Sequence, residues 1–575
     1  MTPSPASSAR GVHEICDAYV EDYARLNPTA ATEFGIGGYD DTLPDLSPDG
    51  HLARMELARR ALADITAAQP ADEGERVARA VFSERVGLEV EIQESGLPGA
   101  SLNMTWSPVQ EVRQSFDLMP VAVAEDWAAI ARRMALVPRS LAGYQSSLWA
   151  CADQGFVAAS RQVSRVIVQC RSWSGLDGGS DGTGTGSSFF TALAKSADGV
   201  PGVDDALRAD LSSGARAASQ AFAELARFLQ EELGPRAVAE DAVGEDVYRL
   251  WSRKFIGADL DLRDAYAWGW EEFRSVEAEL VDVAGRIAAG GGPAEAAAVL
   301  DADPRYRIVG RDAFQAWVQE LSDRALQDLR GTHFDIPDEL MRLECRIAPS
   351  GGGSGAYYTN PTDDFSRPGR MWWSLPSDKA EFTSWRDLST VYHEGVPGHH
   401  LQIGTAVATP GLNRFQRLLC FIDGHGEGWA LYAERLMREF GYLDDGQLLG
   451  MLDKSLFRAA RVIVDIGMHL KLEIPRGTGF HEGGKWTPEL GLEFLLTRTL
   501  TGRARAVDEI DRYLGWPGQA PSYKLGERLW LSMREEARAR QGDAFGLRRF
   551  HMDALRRGPA GLATLRELVL GPDGP

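Results

Sequence analysis

The chain has 575 residues, 25% of them charged and 44% hydrophobic, which suits a large folded protein and argues against wholesale disorder. Its formal charge of -22 works against a nucleic-acid or anionic-membrane partner, because such partners need a basic face to displace counterions. The five cysteines lack C-x-x-C spacing, so neither a disulfide framework nor a cysteine zinc site is expected, and a reducing cytoplasm is the expected setting.

The N-terminal MTPSPASSARGVHEICDAYVEDYARL has no apolar core behind a basic start, and polar residues interrupt the later hydrophobic runs. Neither a secretory signal nor a membrane span is expected. Apolar residues at three- and four-residue intervals predict amphipathic helices at 51–68, 216–233, 262–287 and 313–330. Three Gly-rich stretches, 175–188, 288–298 and 349–356, lack the Lys-Ser/Thr ending of a phosphate loop and read as flexible loops. The first suggests subdomains at about 1–175 and 190–575 within one large helical domain. Short β-branched or aromatic runs at 342–349, 355–361 and 369–376 predict a small antiparallel sheet whose edge could align an extended peptide.

Six of the ten His fall between His393 and His481. TVYHEGVPGHHLQ (390–402) begins like H-E-x-x-H, in which two imidazoles one turn apart hold a metal and the Glu serves as base. Here Pro397 stands where the second His belongs. On a regular helix His399 would lie about 120° around from His393, and His400 would face the same way but about 10 Å further along. Neither then shares one zinc with His393. Pro397 with Gly395 and Gly398 favours a broken turn. If two residues bulge out, His399 takes the vacant place with Glu394 beside the metal; the competing reading is a broken helix whose imidazoles bond locally.

Downstream, FIDGHGEGWALYAERLMREFGY (421–442) reads as a helix with Glu427 and Glu434 on one face. Glu427, flanked by Gly426, Gly428 and Trp429, suits a third metal ligand in close packing. The helix SLFRAARVIVDIGMHLKLEI (455–474) places Arg461, Asp465 and His469 in one stripe, able to support the site or bind a substrate carboxylate, or else to be an ordinary ion pair beside a satisfied His. His481-Glu482 repeats the HE pair but runs into two Gly and reads as a loop. In GWPGQAPSYKLGERLW (515–530), Tyr523 and Lys524 begin a helix, and either could face the oxyanion of a tetrahedral intermediate.

Together HEGVPGHHLQ, GEGWALYAE, VDIGMH and PGQAPSYKLG resemble the bacterial "domain of unknown function 885" family over about residues 10–560. That family is grouped with zincin-type metallopeptidases and is similar in fold to the helical carboxypeptidase Taq type. The resemblance implies a mainly α, zincin-like fold with a central cleft, and zinc as cofactor. With Val396 and Pro397 as an insertion, His393, His399 and Glu427 would be ligands, Glu394 the general base and Tyr523 the transition-state donor. The insertion leaves His399 and His400 both open as second ligand. The activity implied is carboxypeptidase-like hydrolysis of short peptides, with Arg461 holding the substrate carboxylate. The alternatives are an inactive peptide-binding protein of the same fold and a metal hydrolase of a non-peptide amide.

Overall fold

The computed structural model describes residues 10–176, 187–348, 355–376 and 379–571. Most of the Gly-rich stretches 175–188 and 349–356 lies outside the described residues. Within them the chain is mainly helical, with five short strands. The predicted helices are found at Pro48–Ala67, Asp205–Phe228, Leu262–Ile287 and Arg311–Leu329. The remaining Gly-rich stretch, 288–298, is only half loop. At Gly292 the chain enters a helix, Pro293–Ala302, with Pro at its first position and the Glu295 carboxylate accepting the Gly292 N–H at 3.0 Å.

The chain divides into two compact units. One runs to Asp241 and includes Asn413–Phe415. Its long helices Ala124–Asp153, Ser160–Ser174 and Asp205–Phe228 bury Met134, Leu141, Val166, Phe222 and Leu225, the apolar stripes that the spacing of these residues predicts. The returning segment is anchored by its own contacts. The Arg414 N–H donates to Asp17 Oδ1 at 2.7 Å, and Phe415 meets the rings of Tyr19 and Phe82.

The other unit, Ala242–Leu412 with Gln416 onward, carries the chemistry-bearing motifs. Its spine is helix Asp445–Leu470, begun by a capping box between Asp444 and Gln447 and ended by Lys471 in the left-handed region. Residues Ala459 to His469 of this helix are all buried. Helices Asp423–Glu439 and Ser522–Gln541 meet where Gly428 touches Gly526, so closely that a Cβ at 428 would lie 2.5 Å from the Gly526 backbone. Trp429 and Trp530 bury their full surface beside that crossing, ring centroids 5.0 Å apart. Such burial contributes roughly 2–3 kcal/mol per ring, and the pairing about 1 kcal/mol more.

Three of the five strands among the described residues lie where the β-rich runs predict, just ahead of the HE helix, and two short ones, at 307–309 and 381–383, were not expected. β2 (Leu343–Ile347), β4 (Gly369–Ser374) and β3 (Gly355–Thr359) form one sheet in that spatial order. β3 and β4 are antiparallel, whereas β2 joins β4 in parallel because β3, between them in sequence, reverses the chain twice. The outer edge of β2 is covered by Gln315 and Gln319, whose amides bond Cys345 and Leu343. A second, two-stranded antiparallel sheet pairs β1 (Arg307–Val309) with β5 (Glu381–Thr383), and β5 leads directly into helix Ser384–Glu394.

Candidate metal centre

Helix 384–394 stops where its sequence withdraws support. The Gly395 N–H still bonds Val391 O at 2.9 Å, but Pro397 has no N–H to continue the ladder. The chain re-enters a helix at His399 (His399–Ala408). The connection is held by Gly398 N–H to Tyr392 O at 3.0 Å, His400 N–H to Gly395 O at 3.0 Å and Trp429 Nε1–H to Pro397 O at 2.8 Å. Gly398 is required by contact, since a Cβ there would lie 1.9 Å from His393 O. This break swings His399 round to His393, with ring centroids 4.9 Å apart and planes nearly perpendicular at 85°.

Helix 423–439 supplies the third group. Glu427 Oε2 lies 3.1 Å from His393 Nε2 and 3.5 Å from His399 Nε2. One donor atom from each of His393, His399 and Glu427 falls within 4.8 Å of the others, and this is the one such cluster able to hold a metal among the described residues. About two turns further on the same helix, Glu434 Oε1 accepts the His393 Nδ1–H at 2.9 Å. That bond fixes the tautomer whose Nε2 lone pair faces the cluster, the usual support of a zinc-binding imidazole. Two imidazoles and a carboxylate, with one imidazole oriented by a second carboxylate, fit the donor chemistry of zinc.

The electrostatics of the protein without metal describe a site built for positive charge. Burial opposes a charged His393, yet its bonds to Glu427 and Glu434 outweigh burial and push its pKa up to about 9. Burial also opposes charge on Glu427, but the two imidazoles hold it well below the usual carboxylate range. Glu434 is likewise drawn down against burial, to about 2, by the Arg458 charge and by His393. Glu394 behaves differently: burial raises its pKa, and the fields of His393 and His399 only partly offset that.

The remaining candidates separate clearly. His400 is turned away from the cluster, its Nε2–H donating to Leu340 O at 2.8 Å and its Nδ1 accepting from Tyr358 OH at 3.0 Å. Tyr523, half-buried at the start of helix 522–541, lies parallel to the His393 ring with centroids 6.5 Å apart. Arg461 stands over the Tyr523 ring at 4.8 Å and bonds Glu509 at 3.1 Å. Its predicted partner Asp465 instead accepts from Tyr248 OH at 2.5 Å and the Gly518 N–H at 3.0 Å.

His469 and Lys524 are not brought into the cluster. His469 donates to Tyr513 O and accepts from the Val243 N–H, which uses both ring nitrogens. Lys524 is buried between Glu272 at 2.8 Å and Glu527 at 2.6 Å. His481 is exposed and pairs with Glu493, as a loop residue would. Glu434 was visible in sequence as the residue sharing a face with Glu427. Arg458, 3.3 Å from Glu434 Oε1, gave no sequence signal, since its role depends on helix 445–470 crossing helix 423–439.

Among solved structures, the chain is similar to one titled "The crystal structure of the putative lipoprotein from Colwellia psychrerythraea", at 21% identity and TM-score 0.81 over 97% of this chain and 98% of that one. It is also similar to "a putative lipoprotein of unknown function from Shewanella oneidensis", at 18% identity and TM-score 0.72 over 98% and 100%. At these identities the likeness concerns the fold alone. No curated protein sequence matches significantly. The family described as "Bacterial protein of unknown function (DUF885)" matches residues 28–569, nearly the whole length, and the chain belongs to this family.

Proposed function

We propose that the protein is a zinc-dependent peptidase acting on short peptides in a carboxypeptidase-like manner, similar in site chemistry to carboxypeptidase Taq-type zincins. The observation that carries this reading is the convergence of His393, His399 and Glu427 across a broken helix, with Glu434 behind His393. Zinc held by these three residues would keep one coordination position open, polarise a carbonyl and acidify water.

The chain's own groups divide the remaining work. Glu394, buried and with a raised pKa, is suited to take a proton from the attacking water and return it to the leaving amine. Tyr523 is a neutral phenol, since burial raises its pKa, and it serves as hydrogen-bond donor to the developing oxyanion. Arg461, beside that ring, offers a guanidinium for a substrate carboxylate, while the positions of His469 and Lys524 favour structural roles for those two. The five cysteines, none of them joined in a disulfide among the described residues, support a reducing, cytoplasmic setting. No described helix is long and apolar enough to cross a membrane.

Purified protein should carry near-stoichiometric zinc that is lost in His393→Ala. Digestion of mixed peptides with free and amidated C-termini should show cleavage of the free ends only, abolished in Glu394→Gln. A metal-free protein indifferent to chelators would favour the peptide-binding alternative instead. Equal cleavage of both kinds of end would rule out carboxypeptidase action.

A further inference from the structure

We infer that Arg458 is a positioning residue for the metal centre, acting on His393 through Glu434; this rests on the metal-site reading above. Three helices meet at one oxygen atom. Glu434 Oε1 lies 2.9 Å from His393 Nδ1 and 3.3 Å from Arg458 Nη1. The second contact is an ion pair without the alignment of a hydrogen bond, since Nη1 has no hydrogen-bond partner. With Glu434 3% and Arg458 12% exposed at the side chain, little water screens the pair.

Geometry makes Arg458 the counter-charge that holds this carboxylate against the imidazole. Lys454, the cation one turn earlier on the same helix, donates its own bond to Thr390 Oγ1. The Arg458 guanidinium carbon also lies 6.0 Å from the centroid of the Tyr523 ring, which is parallel to His393. One cation therefore pairs with the carboxylate that orients a metal ligand and lies near the ring of the phenol assigned to the oxyanion. A cavity of about 60 Å³ beside Arg458 and Glu434 leaves room for water when the side chain is shortened.

The test is the zinc affinity of the full-length protein, measured by competition with a chromophoric chelator, in a double-mutant cycle. Glu434→Gln should weaken zinc binding about 10- to 100-fold, as loss of a supporting carboxylate does, and Arg458→Met about tenfold. In the Glu434→Gln background Arg458→Met should add less than about twofold, because its route to the metal is already gone. Arg458→Lys, which keeps the charge without the fork, should weaken binding about threefold, an effect also erased by Glu434→Gln. This milder variant carries the test if Arg458→Met does not fold.

Wild-type affinity in the Arg458 variants, or equal losses in both backgrounds, overturns the inference. A wild-type protein that binds no zinc overturns the metal-site reading and takes this inference with it. Tight wild-type binding that Arg458 does not influence overturns the inference alone.

Discussion

Replacing Gly398 by Ala tests the architecture that distinguishes this motif from an ordinary H-E-x-x-H. The added Cβ would stand 1.9 Å from His393 O and 2.5 Å from Tyr392 O. Both obstacles are backbone, so no side chain can swing aside. Moving from 1.9 Å to the 3.4 Å where ordinary contact begins requires about 1.5 Å of displacement between the two helices. Metal–ligand distances tolerate only about 0.2 Å, so His399 and His393 would no longer share one ion. The expected loss of zinc affinity is at least about 100-fold, with a stability cost of at least about 1–3 kcal/mol from overpacking. Chelator competition and thermal melting of the zinc-free protein measure the two effects. Gly285→Ala is the control, because a Cβ there meets nothing within 4 Å in a helix interior, and it should stabilise by up to about 1 kcal/mol. Wild-type zinc affinity and melting in Gly398→Ala would refute the claim that a close backbone approach brings the two imidazoles together.

Three further outcomes are expected. His400→Ala should keep its full complement of zinc while losing about 2 kcal/mol of stability, because Leu340 O and Tyr358 OH each lose a buried partner; loss of zinc would reopen His400 as a ligand. Lys524→Met should lower stability by about 3 kcal/mol by leaving Glu272 and Glu527 without their cation, yet leave KM for peptides unchanged, and a raised KM would return Lys524 to the substrate. Asp465 has a pKa raised from 3.8 to about 7, chiefly by burial, with its bonds to Tyr248 and Gly518 working the other way. A folded-state value above the unfolded one means its contribution is fully present below about pH 3.8 and is lost as pH rises to about 7. Urea unfolding at pH 5 and pH 8 should show that loss in the wild type and a flatter dependence in Asp465→Asn, and an identical slope in both would count against it.

Sequence periodicity determined the helices of this protein because the apolar stripe that each must bury is written locally. The stripes of 262–287 and 313–330 reappear within one or two residues. Composition around Glu427 was equally informative, since Gly428 is there to let Gly526 approach and Trp429 to fill the crossing. The motif 390–402 likewise showed that a regular helix fails and where it should break. It left His399 and His400 undecided, because adjacent residues differ by one helical step and nothing local says which side the broken turn will face.

Tertiary contacts made that choice. Trp429 bonds Pro397 O, Tyr358 and Leu340 occupy both nitrogens of His400, and His399 is left beside Glu427. The same dependence sets the partners of buried charges that the sequence left open. Arg461 and Asp465 are one turn apart and look like a pair, but each has a better partner on another helix. Lys524 looks available at a helix start, yet its charge is consumed between Glu272 and Glu527. A helix is specified by its neighbours in sequence, whereas the partner of a buried charge is specified by whichever opposite charge the fold brings near it.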